Sequence, residues 1–181
     1  MAEAFWQTTA RYDGADYDLS HLQPFERRLI TPKGESISLC VRFSYHCATD
    51  KLGRRDLGVR IREETRPTEE RYFCPVRWFL SRRLPELLRG MEAKRLMAVP
   101  GYQWLYSERI PGISLPWVVW IKVMPGRDKM AVAVESAYLA GSPPKGGKPE
   151  TFRFIVEQTQ RTFVWACGPE LKNERGSDEI V

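Results

Sequence analysis

Ser36-Ile37-Ser38-Leu39-Cys40-Val41-Arg42-Phe43-Ser44-Tyr45 is the stretch that decides the fold class. Ile37, Leu39, Val41, Phe43 and Tyr45 fall on one face. Ser36, Ser38, Cys40, Arg42 and Ser44 fall on the other. A period of two over ten residues is the mark of a half-buried antiparallel strand. Just before it, Pro32-Lys33-Gly34-Glu35 has turn chemistry, because Pro presets φ and Gly tolerates positive φ. Phe25 to Thr31 then reads as the first arm of a hairpin.

Working outward, residues 1–24 read as an irregular lead-in, and residues 46–73 as a charged connection with a short strand over Val59 to Arg62. The next pattern is helical. Val76, Leu80, Leu84, Leu87, Leu88 and Met91 recur at the spacing of one helix face, and Pro75 suits a first helical position. The reading is a helix from Pro75 to about Arg95, kinked by Pro85. Strands resume at Tyr102 to Ile110, Trp117 to Met124 and Lys129 to Tyr138. Pro125-Gly126-Arg127-Asp128 turns the last two into a hairpin. After the loop Gly141 to Pro149, Phe152 to Gln158 and Thr162 to Ala166 read as a closing strand pair. The expected fold is α+β: a twisted antiparallel β-sheet with a kinked helix packed on one face. Residues 25–167 form one domain on this reading, and 168–181 a fraying tail.

Hydrophobic residues make up 43% of the 181 residues, enough for a sizeable core. No apolar run reaches the length of a membrane span, and the first ten residues lack a basic signal-type start. A cytoplasmic location is expected, with no membrane partner. Cys40, Cys47, Cys74 and Cys167 form no C-x-x-C pair, so they read as reduced packing residues rather than a metal site or a disulfide framework. There is no P-loop, no G-x-G-x-x-G, no H-E-x-x-H and no G-x-S-x-G. No metal and no cofactor is expected.

The net charge of +5 is unevenly spread. Residues 51–95 hold thirteen Lys and Arg against seven Asp and Glu, while the flanking segments are close to balanced. Arginine dominates this excess, and its planar fork suits phosphate. RNA or another polyanion is therefore the expected partner, with Arg54, Arg55, Arg60, Arg62, Lys145 and Lys148 as its contacts. A solvated surface of local ion pairs explains the same charges equally well.

Two features point to chemistry. His46 follows the patterned strand at the place where alternation stops, at the rim of the sheet, where an imidazole can serve as general acid or base. In Val132 to Tyr138, strict alternation puts Ser136 and Tyr138 on the core face at a strand end, where two hydroxyls can hold a phosphate. The bland readings are a hydrogen-bonded structural histidine and a strand that simply closes there.

Phe43-Ser44-Tyr45-His46, Tyr72-Phe73-Cys74-Pro75 with Trp78, Ser81-Arg82-Arg83-Leu84-Pro85, and Val134-Glu135-Ser136-Ala137-Tyr138 resemble a group of proteobacterial proteins. These occur on prophages and integrative elements and sometimes carry the label stationary phase growth adaptation protein. The resemblance spans about residues 25 to 155. It implies a mobile-element setting and brings no activity with it. The combination of helix, antiparallel sheet, rim histidine and Ser-Ala-Tyr strand end is also similar to small metal-independent ribonuclease toxins of the barnase/RelE kind. That similarity implies His46 as base or acid, Arg82 or Arg83 as the cation, and Ser136 and Tyr138 as phosphate-positioning groups. The expected function is thus a nucleic-acid-directed protein, in its sharpest form a toxin-like endoribonuclease. The alternatives are a non-catalytic nucleic-acid binder and a protein-interaction module, whose partner would be an antitoxin or a host defence complex.

Overall fold

A computed structural model describes residues 8–51, 60–61, 71–101, 103–126, 128–142 and 147–167. Its centre is a seven-stranded sheet. The strands are β3 (Phe25–Ile30), β4 (Ser36–Phe43), β8 (Arg95–Val99), β9 (Gln103–Glu108), β10 (Trp117–Met124), β11 (Met130–Leu139) and β12 (Pro149–Thr151). They lie in the order β12-β8-β9-β10-β11-β4-β3. Every neighbouring pair is antiparallel except β11 and β4, which run parallel. The β3–β4 hairpin therefore docks as a unit on the edge of a later meander.

The alternation in β4 has its expected consequence. Ile37, Leu39, Val41 and Phe43 are buried on one face, together with Trp117, Val119, Ile121, Val132 and Val134 from the neighbouring strands. Leu80, Leu84 and Leu88 cover this face from two short helices, α1 (Pro75–Ser81) and α2 (Leu84–Arg89). Pro85 stands in the first turn of α2, where its missing N–H costs nothing, so the kink is a clean break between two pieces. The helix ends at Arg89 rather than Arg95, since Arg95 opens β8.

Two further elements differ from expectation. Residues 152–166, read as a strand pair, form one helix, α3 (Phe152–Cys167). Phe152, Ile155 and Val156 are buried at i, i+3 and i+4 spacing, and this periodicity overrides the β-propensity of the aromatic and branched residues. The Thr151 hydroxyl accepts the N–H of Phe154 at 3.3 Å and caps the start. In the lead-in, β1 (Thr9–Tyr12) and β2 (Ala15–Asp18) pair as a hairpin, followed by a 3-10 turn at Ser20–Leu22. Asp13 and Gly14, both at positive φ, make its tip. Leu19 and Leu22 are fully buried, so this segment joins the main core. The tail 168–181 lies outside the described residues.

A small sheet completes the fold: β5 (Thr49–Asp50), β6 (Arg60–Ile61) and β7 (Arg71–Phe73), in the order β5-β7-β6. It leads from the end of β4 directly into α1. No helix among the described residues is long and apolar enough to cross a membrane.

Candidate nucleic-acid interface

His46 occupies the middle of a 3-10 turn, Tyr45–Cys47, between β4 and β5. The turn is built by its own sequence. Ser44 Oγ accepts the His46 N–H at 3.2 Å, and the Ser44 N–H donates to the Val134 carbonyl at 2.8 Å, tying the turn to β11. The imidazole stands edge-on to the Tyr45 ring, with centroids 4.4 Å apart. His46 is thus half-buried at the rim, as its place at the end of the alternation predicts.

Arg77 is the residue that organises this rim. Its Nη1 donates to the His46 carbonyl at 3.0 Å. Its Nη2 lies 3.8 Å from the Asp50 carboxylate. Its guanidinium also sits over the Tyr138 ring, 5.1 Å from the centroid, a cation–π contact. One side chain from the first turn of α1 therefore joins the histidine turn, β5 and the end of β11. Sequence reading draws the apolar stripe through Val76, whereas the structure exposes Val76 and turns Arg77 inward. Arg77, Leu80, Ser81 and Leu84 follow i, i+3, i+4, i+7 and line the inner face, while Val76 points outward. The signal was present in the spacing of Arg77 from Leu80 and Leu84.

Ser136 and Tyr138 are displaced from their expected face. Trp120 pairs with Ser136 and Ile121 pairs with Val134, so Glu135 is an extra residue in β11. Such a bulge shifts the alternation by one. Val132 and Val134 stay on the helix-covered face, and Ala137 takes the next inward position. Tyr138 turns to the opposite face, beside Trp120, Val118 and Ala140. Its hydroxyl accepts the Trp120 indole N–H at 3.1 Å. The phase change is legible in the chain itself, where apolar residues move from even positions 132 and 134 to odd positions 137 and 139.

The other expected site residues separate. Arg82 and Arg83 are exposed at the α1–α2 break, on the side of the helix away from Arg77. Arg82 lies over the Trp78 ring at 5.4 Å, and Arg83 pairs with Glu108 at 3.4 Å. The arginine that reaches the His46 turn is Arg77, through the His46 backbone carbonyl. Lys148 is exposed, 3.9 Å from Glu150. Arg54, Arg55, Arg62 and Lys145 lie outside the described residues. The backbone of Arg60 pairs with Tyr72 across β6 and β7, and Asp50 pairs with Tyr72 from the other side.

Burial pushes the Cys47 thiol pKa up strongly, and the nearby Glu135 carboxylate adds to this, with only partial offset from Arg77. A protonated buried thiol is a packing residue rather than a nucleophile. No group of three or more His, Cys, Asp or Glu among the described residues is arranged to hold a metal ion.

A second histidine has a defined setting that sequence reading missed. His21 Nε2 lies 2.7 Å from Ser81 Oγ, which donates to the Trp78 carbonyl at 2.8 Å. The Trp78 indole N–H in turn donates to the Asp18 carbonyl at 2.7 Å. This relay fastens the lead-in to α1. Burial lowers the His21 pKa, against the opposing pull of Asp18.

No curated protein and no solved structure matches the chain. A family model does match, over residues 9–160, from the first strand of the hairpin into α3. The chain belongs to the YjaZ family.

Proposed function

We propose that this protein acts on RNA, and that it does so through the edge organised by Arg77. The observation that carries the reading is a register. Arg60 and Asp50 flank Tyr72 in one cross-strand row of the small sheet, so their backbones stand about 10 Å apart, two strand spacings. Asp50 meets Arg77, and Arg77 meets both His46 and Tyr138. The Arg60 backbone and the histidine turn are thus linked through Tyr72, Asp50 and Arg77. The arginine excess of residues 51–95 supports a polyphosphate chain as the partner.

Binding is the action this geometry supports best. Cleavage by the barnase/RelE route needs a general base and a cation at one phosphate. The cation beside His46 is Arg77, which is already bonded to a carbonyl and near a carboxylate. The mobile-element setting belongs to the same proposal, as the context in which an RNA-directed protein would work.

The test uses labelled single-stranded RNA in EDTA, followed by fluorescence anisotropy and on a denaturing gel. The expected result is intact RNA, bound with an affinity that falls steeply between about 50 and 200 mM salt. Cleavage by the wild type that is lost in His46→Ala would replace binding with ribonuclease action. Absence of any salt-dependent retention would contradict the proposal and favour a protein partner.

A further inference from the structure

The two edges of the seven-stranded sheet are built differently. The edge strand β12 has three residues and opens with Pro149, and both features blunt an edge. The other edge strand, β3, runs six residues from Phe25 to Ile30, with no proline and no break in its register against β4. The hairpin fixes which backbone groups of β3 point outward. The Thr31 N–H donates to the Glu35 carbonyl at 2.9 Å, and hydrogen-bonded pairs recur at every second residue of an antiparallel ladder. Leu29, Arg27 and Phe25 thus turn their N–H and C=O groups to β4, and Glu26, Arg28 and Ile30 turn theirs outward. No backbone partner meets those three among the described residues. Their side chains are exposed on the face opposite buried Leu29, and Ile30 is 52% exposed.

The sequence of this edge is complementary to itself. Antiparallel pairing with a copy of β3, centred on Arg27, sets Glu26 opposite the second copy's Arg28, and Arg28 opposite the second copy's Glu26. Each of these is a hydrogen-bonded pair that exchanges both N–H···O=C bonds, related by a two-fold axis. Exposed Ile30 then meets the second copy's Pro24, which has no N–H to leave unpaired. A centre at Arg28 would set that arginine against itself, and a centre at Glu26 would do the same with the carboxylate. Like charges directly opposite each other are unfavourable. The centre at Arg27 escapes this, because its guanidinium is drawn away to the last carbonyls of α2 and to Glu92. Arg28 has no ion pair among the described residues. Glu26 takes Lys129 on Oε1 at 2.5 Å with its side chain 59% exposed, which leaves Oε2 for an arginine.

From this we infer that β3 is a dimerisation edge, and that its occupant is β3 of a second copy of this chain, antiparallel about Arg27. The sheets of the two copies join into one continuous sheet. Charges on an edge strand keep other strands away. Here Glu26 and Arg28 favour a strand that presents the same charges in reverse order, and an antiparallel β3 supplies it. Each Glu26 carboxylate lies between Lys129 of its own chain and the second copy's Arg28. The inference is independent of the RNA reading.

The experiment is sedimentation velocity of the full chain, from micromolar to millimolar concentration, on wild type, Arg28→Glu, Glu26→Arg and an equimolar mixture of the two variants. Both substitutions fall on exposed side chains, so the circular-dichroism spectra should match that of wild type, and they are recorded first. Wild type should show a monomer–dimer equilibrium. Each variant alone sets like charges opposite each other in both symmetric pairs, and its dimer should weaken by about tenfold or more. The mixture restores a Glu–Arg pair at both places in a heterodimer, and dimer should return. A wild type that stays monomeric throughout would overturn the inference. A dimer unmoved by either variant would place the contact elsewhere and overturn it as well. Two weakened variants whose mixture stays monomeric would overturn the register about Arg27.

Discussion

Arg27 and Arg82 are the same residue type in two regions that use it in opposite ways. Arg27, on β3, is 9% exposed at its side chain. Its Nη1 donates to the last carbonyls of α2, Leu88 and Arg89, the latter at 2.7 Å. Its Nη2 meets Glu92 at 2.6 Å, and Arg153 of α3 binds the other oxygen of the same carboxylate at 3.0 Å. Arg27 thereby closes the C-terminal end of α2, where carbonyls have no partner within the helix. Arg71 is similar, being buried with its Nε on Thr49 Oγ1 at 2.9 Å. Arg82 and Arg83 stand exposed on the outer side of α1, with a ring contact and a surface ion pair. A count of arginines therefore mixes buried structural clamps with exposed side chains, and only the packing sorts them.

The sharpest way to break this comparison is at Arg27. Arg27→Ala leaves Glu92 and two carbonyls short of a donor in a partly buried place. The expected loss is about 2–3 kcal/mol of unfolding free energy by chemical denaturation, with RNA affinity unchanged under native conditions. A loss below about 0.5 kcal/mol would show that Arg27 belongs with the surface group.

A middle-sized effect is expected at the His21–Ser81 relay. Ser81→Ala removes two part-buried hydrogen bonds, to His21 and to the Trp78 carbonyl, and should cost about 1–2 kcal/mol. The pH dependence has a definite sign. The folded state holds His21 below its ordinary value of 6.5, so folding favours the neutral ring. As pH falls through 6.5 the unfolded chain protonates first, and stability declines below that pH. His21→Gln should flatten the fall in melting temperature between about pH 7.5 and 5.5. An identical fall in both proteins would refute this assignment.

The smallest stability change is expected at the exposed pair. Arg82→Ala and Arg83→Ala should each move stability by less than about 0.5 kcal/mol. A stability change as large as that at Arg27 would erase the distinction between the two regions.

The parts of this molecule that were legible in the sequence are those set by a local period. The β3–β4 hairpin, β10, β11 and the broken helix at Pro85 all stand close to where alternation, helical spacing and turn residues put them. The sheet order was not legible, because the parallel contact of β4 with β11 joins segments some ninety residues apart. The helix α3 was misread as strands because its aromatic and branched residues outweighed the spacing of Phe152, Ile155 and Val156. The candidate site was half legible. His46 stands at the rim as its position predicts, and Ser136 and Tyr138 were placed on the wrong face by a bulge at Glu135. Arg77 is hard to read from the sequence because a stripe through Val76, one residue out of phase, satisfies the apolar spacing as well.

The most direct test of the account is to photocross-link single-stranded RNA to the protein and identify the linked peptides by mass spectrometry. The account predicts links within residues 71–89 and at the end of β11 near Tyr138. Links confined to β3 or α3, or no links at all, would contradict it.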